Sequence, residues 1–187
     1  MLLLLCLYFT AVISLKCSVR RKKGIKTDQI GKGKTGFVKF IEITMKAATY
    51  LTPLAELVSI ISGTTLFPDW VRIAGCCIGF AGAAVFILSV LTMQDSWRAG
   101  VSKTDKTELV TSGIYQISRN PAFLGFDLVY IGILLMFFHF VLFAISVFAM
   151  LMLHLQIINE EDFLTSVFGQ QYVEYKKHVC RYIGRRG

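Results

Sequence analysis

Two segments of the chain hold most of the residues whose types and spacing could do chemistry. The first, TSGIYQISRNPAFLGF (111–126), places Arg119 and an Asn-Pro pair directly before an apolar run. The second, NEEDFLTSVFGQQYVEY (159–175), contains three consecutive acids close to several aromatic residues. An arginine can hold a carboxylate, a carboxylate can hold an ammonium or a ribose hydroxyl, and an aromatic face can hold a cation. Together the two segments would form a small polar pocket for a zwitterionic or cationic cofactor.

Each segment also has a purely structural interpretation. Asn120 is a preferred N-cap and Pro121 is favoured at the first helical position, so the pair could simply begin a helix. Arg119 could be a positively charged anchor at a membrane surface. Asn159 could cap a short helix that ends at the Phe-Gly pair, and QQYVEYKKHV (170–179) could form a second amphipathic helix. These interpretations explain each segment alone, but not the acids at a base-rich membrane face.

The elements that must position these residues are predicted to be membrane helices. The chain has 187 residues, of which 55% are hydrophobic and 17% charged, and its mean hydropathy is +0.60. A membrane-spanning helix needs about 20 largely apolar residues. Such segments lie at 1–18, 46–66, 70–93, 121–138 and 140–158. The last two must turn near Phe138 and His139, because one helix over both would be about 55 Å long.

The predicted fold class is therefore all-α, a polytopic membrane helix bundle of about five transmembrane helices with C-terminal cytoplasmic amphipathic helices. We expect a single integral-membrane domain over 1–187. Residues 1–93 would supply the N-terminal helices and a basic loop, and residues 94–187 would form the cofactor-binding and catalytic half.

Basic residues predict the orientation of the bundle. Nine of the twenty Lys and Arg residues lie between 16 and 39, against a single acid, Asp28. The positive-inside rule makes this loop cytoplasmic, which places the N-terminus outside and the C-terminus in the cytoplasm. The membrane would be the inner or plasma membrane in a prokaryote and the endoplasmic reticulum in a eukaryote. Attraction to anionic membrane lipids explains the net charge of +8, so we expect no nucleic-acid partner.

The cysteines and two acids within predicted helices bear on whether the chain has a metal site or a polar pocket. The five cysteines show no CxxC spacing, so we expect no metal site. Asp127 and Glu56 lie inside predicted helices, where ionisable groups usually face a protein interior or a wet cavity. Asp127 is close enough to the cytoplasmic surface to border a pocket there, whereas Glu56 could equally pair with another helix.

At the two quoted segments the sequence resembles the isoprenylcysteine carboxyl methyltransferase family, which is related to the membrane phospholipid methyltransferases. The resemblance is concentrated in ELVTSGIYQISRNPAFLGF (108–126) and EEDFLTSVFGQQYVEYKKHV (160–179), with a weaker match in DSWRAGV (95–101). It implies that S-adenosylmethionine is the methyl donor. It also implies a site between the cytoplasmic ends of the last membrane helices and the C-terminal segment.

The resemblance assigns roles to particular positions. It implies that Glu160 lies on the cofactor, with Glu161 as its neighbour, and it matches Arg119 to the arginine before the family's His-Pro pair; we predict that Arg119 and Glu161 are catalytic. The other residues that it places along the cofactor are Thr107, Glu108, Leu109, Val110, Tyr115, Asn120, Pro121, Ala122 and Phe123. Arg119 would orient the acceptor or bind the donor. Glu161 or Asp127 would deprotonate an acceptor that is an amine.

Two positions depart from the family pattern. The usual His-Pro pair is Asn120-Pro121 here, which removes a titratable group and keeps hydrogen-bonding capacity. One helical turn before Glu160, where the eukaryotic isoprenylcysteine enzymes have an arginine near the substrate, the chain has Gln156. We therefore place Gln156, together with Asp127, on the substrate side of the site. Both departures concern the acceptor more than the cofactor.

The predicted function is S-adenosylmethionine-dependent methyl transfer to a lipophilic acceptor, such as an isoprenylcysteine-type carboxylate. The acceptor, a small molecule or a lipidated substrate, would enter from the bilayer, and no metal is needed because the sulfonium is already a strong electrophile. Three alternatives stay open. They are a phospholipid N-methyltransferase-like enzyme, an NADPH-dependent sterol-reductase-like oxidoreductase, and a non-catalytic membrane scaffold.

Overall fold

The computed structural model describes residues 36–63, 65–93 and 108–186, and within them the fold is helical as predicted. The helices are α1 (Gly36–Ser62), α2 (Asp69–Met93), α3 (Pro121–Met136), α4 (Phe140–Phe168) and α5 (Gln170–His178). A 3-10 turn over Gly113–Gln116 precedes α3. The predicted first span (1–18), most of the basic loop, the DSWRAGV match and Thr107 lie outside the described residues.

Glycines bring α2 and α3 into close contact. A Cβ atom built on Gly132 would lie 2.6 Å from the carbonyl oxygen of Gly75, and one on Gly125 would lie 2.8 Å from that of Gly82. No real side chain tolerates such distances, so two helix backbones can pass this closely only where both lack side chains. The contact fixes the start of α3 against α2.

The hairpin between α3 and α4 turns at Phe137, Phe138 and His139, which confirms the predicted turn. The imidazole of His139 caps α4 by accepting a hydrogen bond at Nδ1 from the backbone N–H of Val141, over 3.2 Å. The hydroxyl of Ser59 in α1 donates to the carbonyl of Phe137 over 2.7 Å. The turn is therefore held by its own cap and by α1.

Helix α1 begins ten residues before the predicted span at 46, so that boundary was wrong. Hydropathy is reduced here by Lys39, Glu42 and Lys46, but the helical spacing of buried residues continues through them. The buried positions of α1 are Ile41, Glu42, Met45, Ala48, Thr52, Pro53, Glu56 and Ser59. Met45 and Ala48 pack with residues of α3 and α4 in one apolar cluster.

Helix α4 continues to Phe168, so a separate helix capped by Asn159 was wrong, and the predicted span over 140–158 is the first part of one longer helix. At 1.5 Å per residue, α4 is about 44 Å long, which exceeds the roughly 30 Å of a hydrocarbon core. The last turns, with their acids, can thus extend past the apolar region without a break. Gly169, with φ 52°, ends α4, and α5 follows as predicted.

Among the residues that the structure describes, two helices have the length and apolar composition needed to cross a membrane. They are α2 and α4, whereas α3 is apolar but has only 16 residues. Large hydrophobic side chains on the outer surfaces of these helices, such as Ile73, Phe80, Leu91 and Leu151, are exposed. These features agree with a membrane protein whose apolar faces meet lipid.

Candidate functional site

The Asn-Pro pair begins α3, but the Asn120 side chain does not act as its cap. Its Nδ2 instead donates to Glu161 Oε1 over 3.0 Å and to the carbonyl of Arg181 over 3.2 Å. The backbone N–H of Asn120 donates to the hydroxyl of Ser118 over 3.1 Å. The start of α3 is therefore joined to the last turns of α4 and to the end of the chain.

Glu161 lies at the centre of this cluster and is 1% exposed. Its Oε1 accepts from Asn120 and lies 3.4 Å from Nη2 of Arg119, and its Oε2 lies 3.0 Å from Nη2 of Arg181. A buried carboxylate is costly unless it is paired and hydrogen-bonded. These three partners meet that requirement. We call Arg119, Asn120, Glu161 and Arg181 the Glu161 cluster.

Arg119 is the deepest cation of the cluster, with a side chain only 6% exposed. Its Nε and Nη1 are buried and have no hydrogen-bond partner among the residues that the structure describes. Burial raises the pKa of the Tyr172 phenol, and the adjacent Arg119 guanidinium opposes that rise through its charge and a hydrogen bond, yet Nε and Nη1 stay unfilled. Because buried guanidinium nitrogens are almost always satisfied, two unfilled nitrogens indicate a place for a further acceptor, such as an anion.

The C-terminal segment, residues 179–186, folds back over the turn that precedes α3. The backbone N–H of Arg119 donates to the carbonyl of Cys180 over 3.1 Å, and that of Gly184 donates to Ile117 over 2.9 Å. Gly184 adopts φ 121°, a value that favours glycine. These bonds place the Arg181 side chain against Glu161. The hydrogen bond to Glu161 raises the pKa of Arg181, so this guanidinium stays charged.

A second set of polar contacts lies on the neighbouring face of α4. Nε2 of Gln156 donates to Glu160 Oε1 over 2.9 Å and to Glu42 Oε1 over 3.4 Å. Gln156 and Glu42 are both 0% exposed, while Glu160 is half-buried. The amide at 156 therefore links carboxylates from α1 and α4.

Aromatic residues connect the 3-10 turn to α5. Tyr115 is buried, and its carbonyl accepts a hydrogen bond from the hydroxyl of Tyr175. Burial raises the pKa of the Tyr115 phenol to about 12, and it raises that of Tyr175 as well. Both phenols thus stay neutral at ordinary pH. They can donate hydrogen bonds, but they supply no charge to the site.

A deeper polar group lies two helical turns from the Glu161 cluster. Asp127 follows Asn120 by seven residues, and His154 precedes Glu161 by seven, so each is about 10 Å farther along its helix. Nδ1 of His154 lies 2.7 Å from the hydroxyl of Tyr182, and the two rings stack. Asp127 Oδ1 is buried and has no hydrogen-bond partner within the described part of the chain.

The remaining predicted residues take no part in the contacts of the Glu161 cluster. Glu108 is exposed, Leu109 and Val110 are half-buried, and Pro121 is buried. Ala122 packs against the apolar cluster that includes Phe86, and Phe123 packs against the one that includes Met45. The structure thus joins Arg119, Asn120 and Glu161 directly and joins Glu160 to Gln156. Asp127 forms no hydrogen bond or ion pair with any of these residues.

Sequence reasoning missed several residues that hold the site together. Glu42 lay between the basic loop and the predicted span at 46 and was assigned to neither, although its spacing from Met45 and Ala48 fits the buried face of α1. Arg181 was not predicted at the site. No local signal distinguishes it, because its position depends on how the C-terminal segment folds back.

Comparison with known proteins identifies the family of the chain. The family model of phospholipid methyltransferases matches residues 70–171, more than half of the chain, and the chain therefore belongs to this family. This match and the relatives below confirm the family resemblance that the sequence predicted.

Two similar proteins are isoprenylcysteine methyltransferases by name. Protein-S-isoprenylcysteine O-methyltransferase of Xenopus laevis is 29% identical over 137 residues, which are 69% of this chain and 48% of that protein. Protein-S-isoprenylcysteine O-methyltransferase B of Arabidopsis thaliana is 28% identical over 137 residues, which are 67% of this chain and 70% of that protein. The chain spans about half the length of the Xenopus relative.

Proposed function

We propose that the protein is an S-adenosylmethionine-dependent methyltransferase that acts on a lipophilic acceptor entering from the bilayer. Membership of the phospholipid methyltransferase family and the names of both relatives support this proposal. The observation that carries it is Arg119, a buried cation with two unfilled donor nitrogens beside the ends of α3 and α4. We further propose a multi-pass arrangement with the N-terminus outside and the C-terminus in the cytoplasm.

The residues present fit this methyl donor. The unfilled nitrogens of Arg119 suit a carboxylate, and the half-buried Glu160 suits an ammonium group or ribose hydroxyls. Asn120, Tyr115 and the residues from Glu108 to Val110 would complete the cofactor side. When bound, the donor supplies an activated methyl group on a sulfonium.

The protein's own contribution would be alignment and exclusion of water. Holding two reacting groups in line can supply about 7 to 11 kcal/mol of the barrier in favourable cases. Arg119 would orient a bound carboxylate through Nε and Nη1. Glu161, engaged by three internal donors, would fix Arg119 and the C-terminal segment in place. A carboxylate acceptor needs no base, because it is already ionised.

The leading acceptor is an isoprenylcysteine-type carboxylate, by analogy with the names of the relatives. Gln156 and Asp127 would lie on the acceptor side. An amine acceptor, as in a phospholipid N-methyltransferase, is the second candidate, and one observation favours it. Asp127 Oδ1 is buried without a hydrogen-bond partner among the described residues and could hold an ammonium group or take its proton.

Methyl transfer from donor labelled with tritium in the methyl group would test the proposal and separate the acceptors. The purified protein is incubated with this donor and a total membrane extract, and the lipid-soluble product is treated with base. A carboxyl methyl ester releases volatile labelled methanol, whereas an N-methyl group keeps its label. We expect labelled product that yields volatile methanol. Absence of any lipid-soluble label would contradict the proposed function, and a base-stable N-methyl product would favour the amine alternative.

A further inference from the structure

The two guanidinium groups that contact Glu161 differ in their burial and in how closely they approach the carboxylate. Nη2 of Arg181 lies 3.0 Å from Oε2, and its side chain is 36% exposed. Nη2 of Arg119 lies 3.4 Å from Oε1, and its side chain is 6% exposed. The shorter contact therefore belongs to the more exposed cation. The buried cation shares its carboxylate oxygen with Asn120 and keeps Nε and Nη1 unfilled.

The net charge of the Glu161 cluster and the sharing of its hydrogen bonds leave Arg119 only partly neutralised. One carboxylate faces two guanidinium groups, so the Glu161 cluster has one positive charge in excess. An isolated arginine–carboxylate pair prefers two parallel hydrogen bonds, which would fill two nitrogens of the same guanidinium. Arg181 and Asn120 prevent this arrangement by occupying Oε2 and part of Oε1. Glu161 thus makes only one long contact with Arg119.

We propose that Arg181 is a positioning residue, which holds Glu161 so that Arg119 keeps its charge and two donor nitrogens for a carboxylate ligand. This inference rests on the proposed function. The carboxylate could come from the amino-acid portion of the methyl donor or from the acceptor. In either case Arg181 acts without touching the ligand, and losing its guanidinium lets Glu161 turn to Arg119 and neutralise it.

Substitution of the Arg181 side chain tests the guanidinium alone, because the backbone of Arg181 makes separate contacts that do not depend on the side chain. Its carbonyl accepts hydrogen bonds from Nδ2 of Asn120 and from the hydroxyl of Ser118, and both survive a change of side chain. Arg181→Gln therefore removes the charge while keeping the backbone contacts. Arg185→Gln is the matched control, because Arg185 lies in the same segment and bonds Gln116 at the surface.

The experiment is calorimetry on the full chain in detergent with two ligands. S-adenosylhomocysteine has the carboxylate, whereas 5′-methylthioadenosine has the same nucleoside and lacks it. If the carboxylate comes from the donor, Arg181→Gln and Arg119→Gln should each lower the affinity for S-adenosylhomocysteine by about tenfold or more. This is the scale of a lost charged hydrogen bond. Binding of 5′-methylthioadenosine should stay unchanged in both variants, and Arg185→Gln should bind both ligands normally.

Two further variants separate positioning from a structural role. Arg181→Lys keeps the charge and should recover part of the lost affinity. In the double variant Glu161→Gln with Arg181→Gln, no carboxylate remains to neutralise Arg119, so S-adenosylhomocysteine should bind more tightly than to Arg181→Gln alone. A protein that is merely loosened would bind more weakly with each added change.

The possible outcomes identify the source of the carboxylate. Unchanged affinity for S-adenosylhomocysteine, with a tenfold higher KM for N-acetyl-S-farnesylcysteine, would place the carboxylate on the acceptor. Equal weakening of both nucleoside ligands would overturn the inference, because it would indicate general damage. Unchanged binding of S-adenosylhomocysteine by Arg181→Gln would overturn the inference too if the variant uses N-acetyl-S-farnesylcysteine as well as the wild type does. The same holds if neither protein uses this acceptor. If the wild-type protein binds neither nucleoside, the proposed function itself fails.

Discussion

Asn120 Nδ2 lies 3.0 Å from Glu161 Oε1, and this hydrogen bond joins the first residue before α3 to the end of α4. The bond replaces a local cap with a contact between two segments that are 41 residues apart in the chain. It gives Asn120 a specific task where the family pattern has a histidine, which is to hold a buried carboxylate without adding a titratable group.

The first prediction concerns that bond. Asn120→Asp places a second carboxylate against Glu161, so we expect a lower free energy of unfolding than for Asn120→Ala. Removing one partner of a buried hydrogen bond costs about 1 to 3 kcal/mol, and Asn120→Ala should fall in that range. Thermal unfolding in detergent measures both. Asn159→Ala is the control, because no described residue bonds its Nδ2. Equal stability of Asn120→Asp and wild type would contradict the assigned contact.

The second prediction concerns the glycine contact between α2 and α3. Gly132→Ala should destabilise the protein strongly, because its Cβ would lie 2.6 Å from backbone atoms of both Gly75 and Gly79. Gly79→Ala should be tolerated, because its Cβ would meet nothing closer than 4.0 Å. Thermal unfolding of the two variants compares the same contact from both sides. Equal losses would show that the helices pack differently.

The third prediction concerns the C-terminal segment. Tyr182→Phe removes the hydroxyl that lies 2.7 Å from His154 Nδ1, so the segment should open more often. Hydrogen exchange of the Cys180 and Gly184 amides, which are bonded in this segment, should speed up by up to about tenfold, the scale of one hydrogen bond. Tyr50→Phe, at an exposed position of α1, is the control. Unchanged exchange would mean that other contacts alone hold the segment.

Much of the fold could be read from the sequence because apolar helices and their caps are local features. The α3–α4 turn, the start of α3 at Pro121 and the presence of α5 all follow from composition and capping. The predicted helix boundaries were wrong where charged residues continue an apolar helix. Lys39 and Lys46 concealed the first turns of α1, and the acids after Asn159 suggested a new helix where α4 simply continues.

The candidate site was only partly accessible to the same reasoning. Arg119 and Glu161 could be proposed as neighbours because their two segments resemble one family in order and spacing. Arg181 and Glu42 could not, because each reaches the site from a distant part of the chain through packing of whole helices or chain reversal. Non-local contacts of this kind leave no periodic pattern in the sequence.

The proposed function requires that Arg119 belongs to a binding site for the methyl donor. The most direct measurement is equilibrium binding of tritiated S-adenosylmethionine to the purified wild-type protein and to Arg119→Gln, with Arg185→Gln as control. We expect saturable binding that S-adenosylhomocysteine displaces and NADPH does not, reduced about tenfold or more in Arg119→Gln. Equal binding to wild type and Arg119→Gln would contradict the placement of Arg119 on the donor, and displacement by NADPH would contradict the proposed function.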